Sequence, residues 1–310
     1  MKKCNLSNFP FIQSSNKIQT IDEKAEVYIS NDNYNHMKNM NLNRSDIMNL
    51  GDYSKSFSEH PKNLELIVEN SVSIQKGEII IITPNGLLDS RNKRKRLNNE
   101  VLFGYFSNLS EFDEIDYELP PNPLLQNSEN NNYNDDKNEG IFFCIFYKLE
   151  FQKYYIRDYE KGYGTFIKLN DAYKLKNNSL INIGDSYLVF NIENNNKNKS
   201  INENILCLKA YSGSATYEPI IFQHLLNKEF TIGRNEKDDV VLQDKMLSRV
   251  HCILFYDEEK GWFIKDGNEI GQPSTNGTWV FAYDEFEIYD GMIFKSNSNL
   301  FSCHLRNNKQ

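Results

Sequence analysis

Cysteine, glycine and proline are scarce in this chain of 310 residues, and long apolar runs are absent. The five cysteines form no CxxC pair and have no histidines at zinc-site spacing, which argues against a disulfide framework or a zinc site and suits a reducing compartment. No stretch approaches the roughly 18 apolar residues of a membrane-spanning helix, and the first residues lack the apolar core of a signal peptide. We therefore expect a soluble intracellular protein without a metal, another cofactor or a membrane partner.

Positive charge is also in deficit, because 35 Lys and Arg face 43 Asp and Glu. The net charge of −8 argues against a surface that binds nucleic acid or anionic lipid throughout. The exception is Arg91–Arg96, with five cations in six residues. This run indicates a nuclear localisation signal, a solvated loop or, ranked third because the flanking chain is acidic, a contact to nucleic acid. The expected location is the nucleus or the cytoplasm.

Asparagine is the residue in excess, with 43 copies. Much of it lies in residues 1–61, 127–138 and 194–204, where apolar residues follow no sustained period. We expect a mostly disordered arm over 1–61 and a linker over 194–204. The rest of the chain is rich enough in apolar and aromatic residues to build cores, and its length suits two domains, 62–193 and 205–310.

The segment from Ile205 onward consists of short apolar runs of high β propensity, separated by turn residues at intervals near ten. Helical periodicity is absent, so the pattern predicts an all-β sandwich or barrel. Three motifs lie between these runs. They are Gly233-Arg234-Asn235, Ser248-Arg249-Val250-His251 and Ser274-Thr275-Asn276-Gly277-Thr278.

In this order and spacing, the three motifs resemble the signature of the forkhead-associated (FHA) domain over residues 205–306. The resemblance implies an eleven-stranded β-sandwich that binds a phosphothreonine-containing partner protein and is not an enzyme. It assigns phosphate contacts to Arg234 and Ser248, with Arg249 assisting, and contacts to the peptide backbone to Thr275 and Asn276. The supporting residues that it implies are Gly233, His251, Gly277 and Thr278.

The chemistry of these side chains suits that ligand. Arginine offers a planar fork of charged donors for a phosphate, and an asparagine amide offers both a donor and an acceptor to a peptide backbone. Arg234 as an ordinary surface residue and Ser248 as a turn residue are the alternatives, while for His251 a structural role is favoured over ligand contact. A hydrolytic triad of Ser248, His251 and Asp266 ranks low, because no GxSxG elbow surrounds the serine.

Residues 62–193 resemble a second, degenerate copy of the same domain. The segment FFCIFYK at 142–148 parallels VHCILFY, but Tyr105 replaces the arginine and nothing like Ser-Arg-x-His precedes Cys144. Tyr163-Gly164-Thr165 takes the place of the Asn-Gly-Thr turn. We expect a β-sandwich that binds no phosphate and that packs against the other sandwich or binds a partner through another surface. The alternative for the whole chain is a scaffold that uses both sandwiches without phosphorylation.

Overall fold

The regular elements of the described chain are β-strands, as predicted. The computed structural model describes residues 61–88, 100–107, 114–121, 139–194, 204–213, 215–223 and 228–307. The predicted arm before residue 61, the basic run 91–96, the 127–138 insertion and most of the 194–204 linker lie outside these ranges. Within them, no helix is long and apolar enough to cross a membrane.

Eleven described strands precede the predicted linker and eleven follow it, and we call these two parts the N-terminal and C-terminal halves. The strands of the N-terminal half are β1 (Asn63–Asn70), β2 (Ile79–Thr83), β3 (Gly86–Leu87), β4 (Glu100–Tyr105), β5 (Tyr117–Glu118), β6 (Gly140–Lys148), β7 (Lys153–Asp158), β8 (Thr165–Lys168), β9 (Tyr173–Lys174), β10 (Ser179–Ile183) and β11 (Ser186–Asn194). The strands of the C-terminal half are β12 (Asn204–Ser212), β13 (Ala215–Thr216), β14 (Ile220–Phe222), β15 (Glu229–Gly233), β16 (Val240–Val241), β17 (Val250–Asp257), β18 (Gly261–Asp266), β19 (Thr278–Phe281), β20 (Phe286–Glu287), β21 (Ile293–Ser296) and β22 (Asn299–Arg306).

One large sheet forms the base of the fold. Its strand order is β13-β12-β11-β10-β19-β8-β21-β22-β1-β2-β3, with β14 also paired to β12. Alternating side chains point to one face of this sheet, as the period of two in a strand requires. Directly opposite one another on that face, in successive strands, are the buried residues Ala210, Leu188, Ile181, Val280, Ile167, Phe294, Phe301 and Val68.

Two five-stranded sheets pack on the large sheet, with the orders β16-β15-β17-β18-β9 and β20-β7-β6-β4-β5. The second of these contributes Phe143, whose ring meets Phe294 of the large sheet edge-on at 5.4 Å between ring centroids. The first contributes Trp262, which lies 6.4 Å from Phe222 of the large sheet. These aromatic contacts belong to one continuous buried apolar cluster.

The two halves of the chain exchange their closing strands. β10 and β11 of the N-terminal half lie between β19 and β12, while β21 and β22 of the C-terminal half lie between β8 and β1. In the small sheets, β9 pairs with β18 and β20 pairs with β7.

For description we divide the strands into two sandwiches of eleven strands, one over each small sheet. Strands β9–β19, a continuous segment, form the Arg234 sandwich, and strands β1–β8 with β20–β22 form the Tyr105 sandwich. The predicted domain bounds 62–193 and 205–310 do not describe this exchange and stay predictions.

Candidate functional site

Arg234 leaves the sandwich directly after β15, where a β-bulge lies between Ile232 and Gly233. A Cβ on Gly233 would lie 2.1 Å from the carbonyl oxygen of Arg249, so this close approach requires glycine. The Arg234 side chain is exposed, and its Nε donates to the carbonyl of Leu247 at 2.8 Å. This bond fixes the side chain and leaves the two terminal nitrogens of the guanidinium for a ligand. No carboxylate of the described residues forms an ion pair with it.

Ser248 joins the second motif to the third. Its Oγ accepts a hydrogen bond from the backbone N–H of Thr275 at 3.0 Å and lies 3.3 Å from Thr275 Oγ1. The backbone carbonyl of Ser248 accepts the N–H of Arg234 at 3.2 Å. Ser248 is therefore linked to residues of both other motifs. Arg249 follows it with an exposed side chain. Ser248 therefore adjoins one exposed arginine in the sequence and accepts the backbone N–H of another, Arg234.

Asn276 is held by one side of its amide. Nδ2 donates to the carbonyl of Met246 at 2.7 Å, and the backbone carbonyl of Asn276 accepts from Trp279 Nε1 at 2.8 Å. The amide is thereby oriented with one of its two N–H groups used. The remaining N–H and the Oδ1 acceptor suit the N–H and C=O of an extended peptide.

His251 bridges two of the motifs from inside the sandwich. The ring is fully buried; Nδ1 accepts the backbone N–H of Ser248 at 3.2 Å, and Nε2 lies 3.0 Å from the carbonyl of Gly277. This pairing requires a neutral ring with the proton on Nε2, and burial lowers the pKa of His251, which agrees with it. Because both nitrogens have backbone partners, the ring is not positioned as a base for the Ser248 hydroxyl.

Asp266 supports the site, a role that sequence reasoning missed. Its Oδ1 accepts from Ser274 Oγ at 2.6 Å and Thr278 Oγ1 at 2.7 Å, and its Oδ2 accepts the Ser274 N–H at 3.0 Å. Ser274 Oγ in turn accepts the N–H of Gly277, which lies at a φ of +76°. These bonds set the shape of the turn that carries Asn276. The signal in the sequence was an Asp at a strand end followed by hydroxyl residues on both sides of an Asn-Gly turn.

The Tyr105 sandwich has the same bulge without the same site. Gly104 pairs with Ile141 after a bulge, as Gly233 pairs with Val250, and a Cβ on Gly104 would lie 2.3 Å from a backbone oxygen. Tyr105 therefore occupies the position of Arg234.

The same register corrects the sequence alignment of the two halves by one residue. VHCILFY corresponds to IFFCIFY at 141–147, not to 142–148. Phe142 thus takes the position of His251, and Glu139 takes that of Ser248. Burial, followed by the charges of Glu118 and Glu139, raises the pKa of Tyr105. The site where the other sandwich presents two arginines is acidic here.

No group of three or more His, Cys, Asp or Glu side chains in the described ranges is arranged to hold a metal ion.

Comparison with known proteins agrees with the predicted resemblance. Residues 230–294, which contain all three motifs, match the sequence model of the FHA domain. Among solved structures, the Slr1951 protein from Synechocystis sp. is 20% identical, with a TM-score of 0.19, over 41% of this chain and 96% of its own. A structure described as an analysis of phosphothreonine-dependent FHA domain interactions is 16% identical, with a TM-score of 0.15, over 41% of this chain and 95% of its own. No curated protein matches the chain. The match at residues 230–294 confirms the predicted FHA domain, and the strands confirm the predicted all-β fold.

Proposed function

We propose that the protein is a non-enzymatic adaptor whose Arg234 sandwich binds a phosphothreonine-containing segment of a partner protein. The observation that carries this proposal is the direct hydrogen bonding of Ser248 to Thr275 and of Arg234 to the Ser248 loop. These contacts bring the side chains of three separate motifs to one end of a rigid sandwich. Binding residues on loops that a rigid scaffold holds in place are the usual design of such modules.

The phosphate binds between the exposed cations in this scheme. A phosphate group carries close to two negative charges at neutral pH and three acceptor oxygens, so charged donors in fixed directions stabilise it. Arg234 provides two N–H groups from its terminal nitrogens, the Ser248 hydroxyl donates to another oxygen, and Arg249 adds a second positive charge. The desolvation of the dianion is compensated only where such donors exist, and the acidic Tyr105 position has none of them.

The peptide backbone is held by the third motif. Asn276, oriented by its bond to Met246, offers an acceptor and a donor to the residues beside the phosphothreonine. Thr275 lies exposed next to it. Kinase action on the partner would then control complex formation.

Titration of the full chain with a phosphothreonine peptide library tests this function. Arg234→Ala removes charged hydrogen bonds worth about 1.5–3 kcal/mol, so we expect affinity to fall roughly 10- to 100-fold. Tyr105→Ala, at the matching position of the other sandwich, is the control and should leave affinity unchanged. Equal binding of phosphorylated and unphosphorylated peptides, or indifference to Arg234→Ala, would contradict the proposal.

A phosphorylation-independent scaffold is the second candidate, favoured by the loss of all phosphate-binding groups from the Tyr105 sandwich. Partner binding that survives phosphatase treatment would support it over the adaptor. Nuclear location remains a proposal from the basic run 91–96, which an import assay with those cations neutralised would test.

A further inference from the structure

The loop Asp244–Ser248 touches each recognition motif of the Arg234 sandwich. Its Leu247 carbonyl holds Arg234, its Met246 carbonyl holds Asn276, and its last residue supplies the Ser248 hydroxyl. A shift of this loop would therefore move the phosphate contacts and the peptide contact together. The contacts that hold this loop in place therefore determine the geometry of the whole site.

The anchor of this loop is Asp244, and two of its partners come from the N-terminal half of the chain. Asp244 is only 6% exposed. Its Oδ2 accepts the backbone N–H of Asp185 at 2.8 Å and the hydroxyl of Ser186 at 2.7 Å, and its Oδ1 accepts the N–H of Met246 at 2.8 Å. Hydrogen bonds to a buried charged acceptor are among the stronger ones in proteins. The carboxylate thus joins the turn between β10 and β11 to the recognition loop.

The fit between this turn and the loop is close. Gly184 has a φ of +53°, and a Cβ there would lie 2.9 Å from Asp244 Oδ2 and 2.9 Å from Met246 Cβ. The loop occupies the space that a side chain at position 184 would need. Glycine at this turn is therefore required by the approach of the recognition loop.

The corresponding turn of the C-terminal half contacts the other sandwich. It lies between β21 and β22, and Asn297 holds the position that Gly184 holds between β10 and β11. Asn297 Oδ1 accepts the N–H of Tyr163 at 2.7 Å and would lie 2.3 Å from a Cβ on Gly162. The position that matches Gly162 in the Arg234 sandwich is Thr275, which has a side chain. The two turns therefore make different contacts, because the Asn297 amide in its present position occupies the space that a side chain at position 162 would take.

We propose that the β10–β11 turn is part of the phosphothreonine site, with Asp244 as a positioning residue that holds the recognition loop on it. The binding unit is then the set of strands β9–β19, which begins well before the family match at residue 230. This inference rests on the proposed function. It assigns to the N-terminal half a direct role in a site whose ligand-contacting residues all lie in the C-terminal half.

The experiment measures phosphothreonine-peptide affinity in the full chain for Ser186→Ala, Asp244→Asn and the matched control Asn297→Ala. Loss of one hydrogen bond to Asp244 should make Ser186→Ala bind roughly three- to tenfold more weakly. Asp244→Asn should weaken binding at least as much, while Asn297→Ala should leave it unchanged. Thermal melting of each variant shows whether it is folded, and Ser186→Ala keeps the test valid if Asp244→Asn is not.

Amide hydrogen exchange at Asp185 and Met246 gives a readout that does not depend on the peptide. An asparagine side chain offers one acceptor oxygen where the carboxylate offers two, so at least one of these amides should exchange faster in Asp244→Asn, with no such change in Asn297→Ala. That result supports the anchor even if the wild-type chain binds no phosphopeptide, in which case only the proposed function fails. Wild-type binding that is unaffected by Ser186→Ala overturns the inference. If Asn297→Ala weakens peptide binding and Ser186→Ala does not, the inference is also overturned. The site would then depend on the β21–β22 turn, which belongs to the same half of the chain as Arg234.

Discussion

The exchange of closing strands predicts which pairs of introduced cysteines will form disulfides. Glu65 on β1 and His304 on β22 are direct partners in the antiparallel ladder. Their Cα atoms are therefore expected about 4.5–5.5 Å apart, a separation that a disulfide spans. Asn191 holds on β11 the position that His304 holds on β22, and without the exchange β11 would lie beside β1 in its place. We expect Glu65→Cys with His304→Cys to cross-link and Glu65→Cys with Asn191→Cys not to.

The size of the effect follows from the length of chain that the bond closes. The loop between positions 65 and 304 contains about 240 residues, for which the chain-entropy relation gives about 5.5 kcal/mol of stabilisation as an upper value. The surface ion pair of Glu65 with Arg306 that is lost contributes at most about 1 kcal/mol. Denaturant unfolding of the oxidised and reduced variant measures the difference.

All variants in this assay should also carry Cys207→Ser, because Cys207 on β12 is the direct partner of Asn191 and would compete for a cysteine placed there. With Cys207 restored, Asn191→Cys should form a disulfide with it. Efficient cross-linking of positions 65 and 191, with none between 65 and 304, would refute the exchanged arrangement.

Three further predictions concern titration and reactivity. Burial lowers the pKa of His251, so the unfolded chain takes up a proton that the folded chain does not as pH falls below about 6.5. The free energy of unfolding should therefore fall with pH. Urea unfolding at pH 7.5 and pH 5.5 should show a smaller loss in His251→Gln than in the wild type. Burial raises the pKa of Asp158 to about 7, so the folded chain keeps a proton that the unfolded chain releases as pH rises from about 4. Asp158→Asn should therefore gain stability over the wild type as pH increases, by on the order of 2–4 kcal/mol at pH 8, and an equal difference at pH 5 and pH 8 would contradict this cause. Among the described cysteines, the half-buried Cys207 should be alkylated first under native conditions, which mass spectrometry would show. Burial shields the thiols of Cys144, Cys252 and Cys303 and raises their pKa.

The strands and the recognition motifs could be predicted from sequence because their signals are local. In β1, for example, Leu64, Leu66 and Val68 are buried at every second position, as the alternating apolar pattern indicates. The Asn276-Gly277 turn requires a positive φ at its glycine, which the sequence also signals. The placement of Arg234 and Ser248 follows from the order of the motifs, since each one stands directly before or after a strand.

The exchange could not be predicted in the same way. Strands β10 and β11 and strands β21 and β22 are both apolar hairpins of similar length, so either pair satisfies the alternation that a large sheet requires. The choice between them depends on contacts between distant residues, such as Gly184 with Asp244 and Asn297 with Gly162. The one-residue error in aligning FFCIFYK has a related cause, because a run of consecutive apolar residues gives no alternation from which to read a register.

The exchange also gives the N-terminal half a structural role beside the proposed phosphate site. Recognition of a phosphate needs donors held in fixed directions, and in this chain the loop proposed to supply them is anchored on a turn of the N-terminal half. That half also pairs β8 with β19, the strand that follows the Asn276 turn directly. Without β8, β19 would be an edge strand whose backbone groups on that side lack partners, and such an edge can pair with another chain and cause aggregation. The N-terminal half thus stabilises the geometry of the proposed site through strands and a turn. In the other sandwich, Tyr105, Glu139 and Phe142 stand at the positions of Arg234, Ser248 and His251.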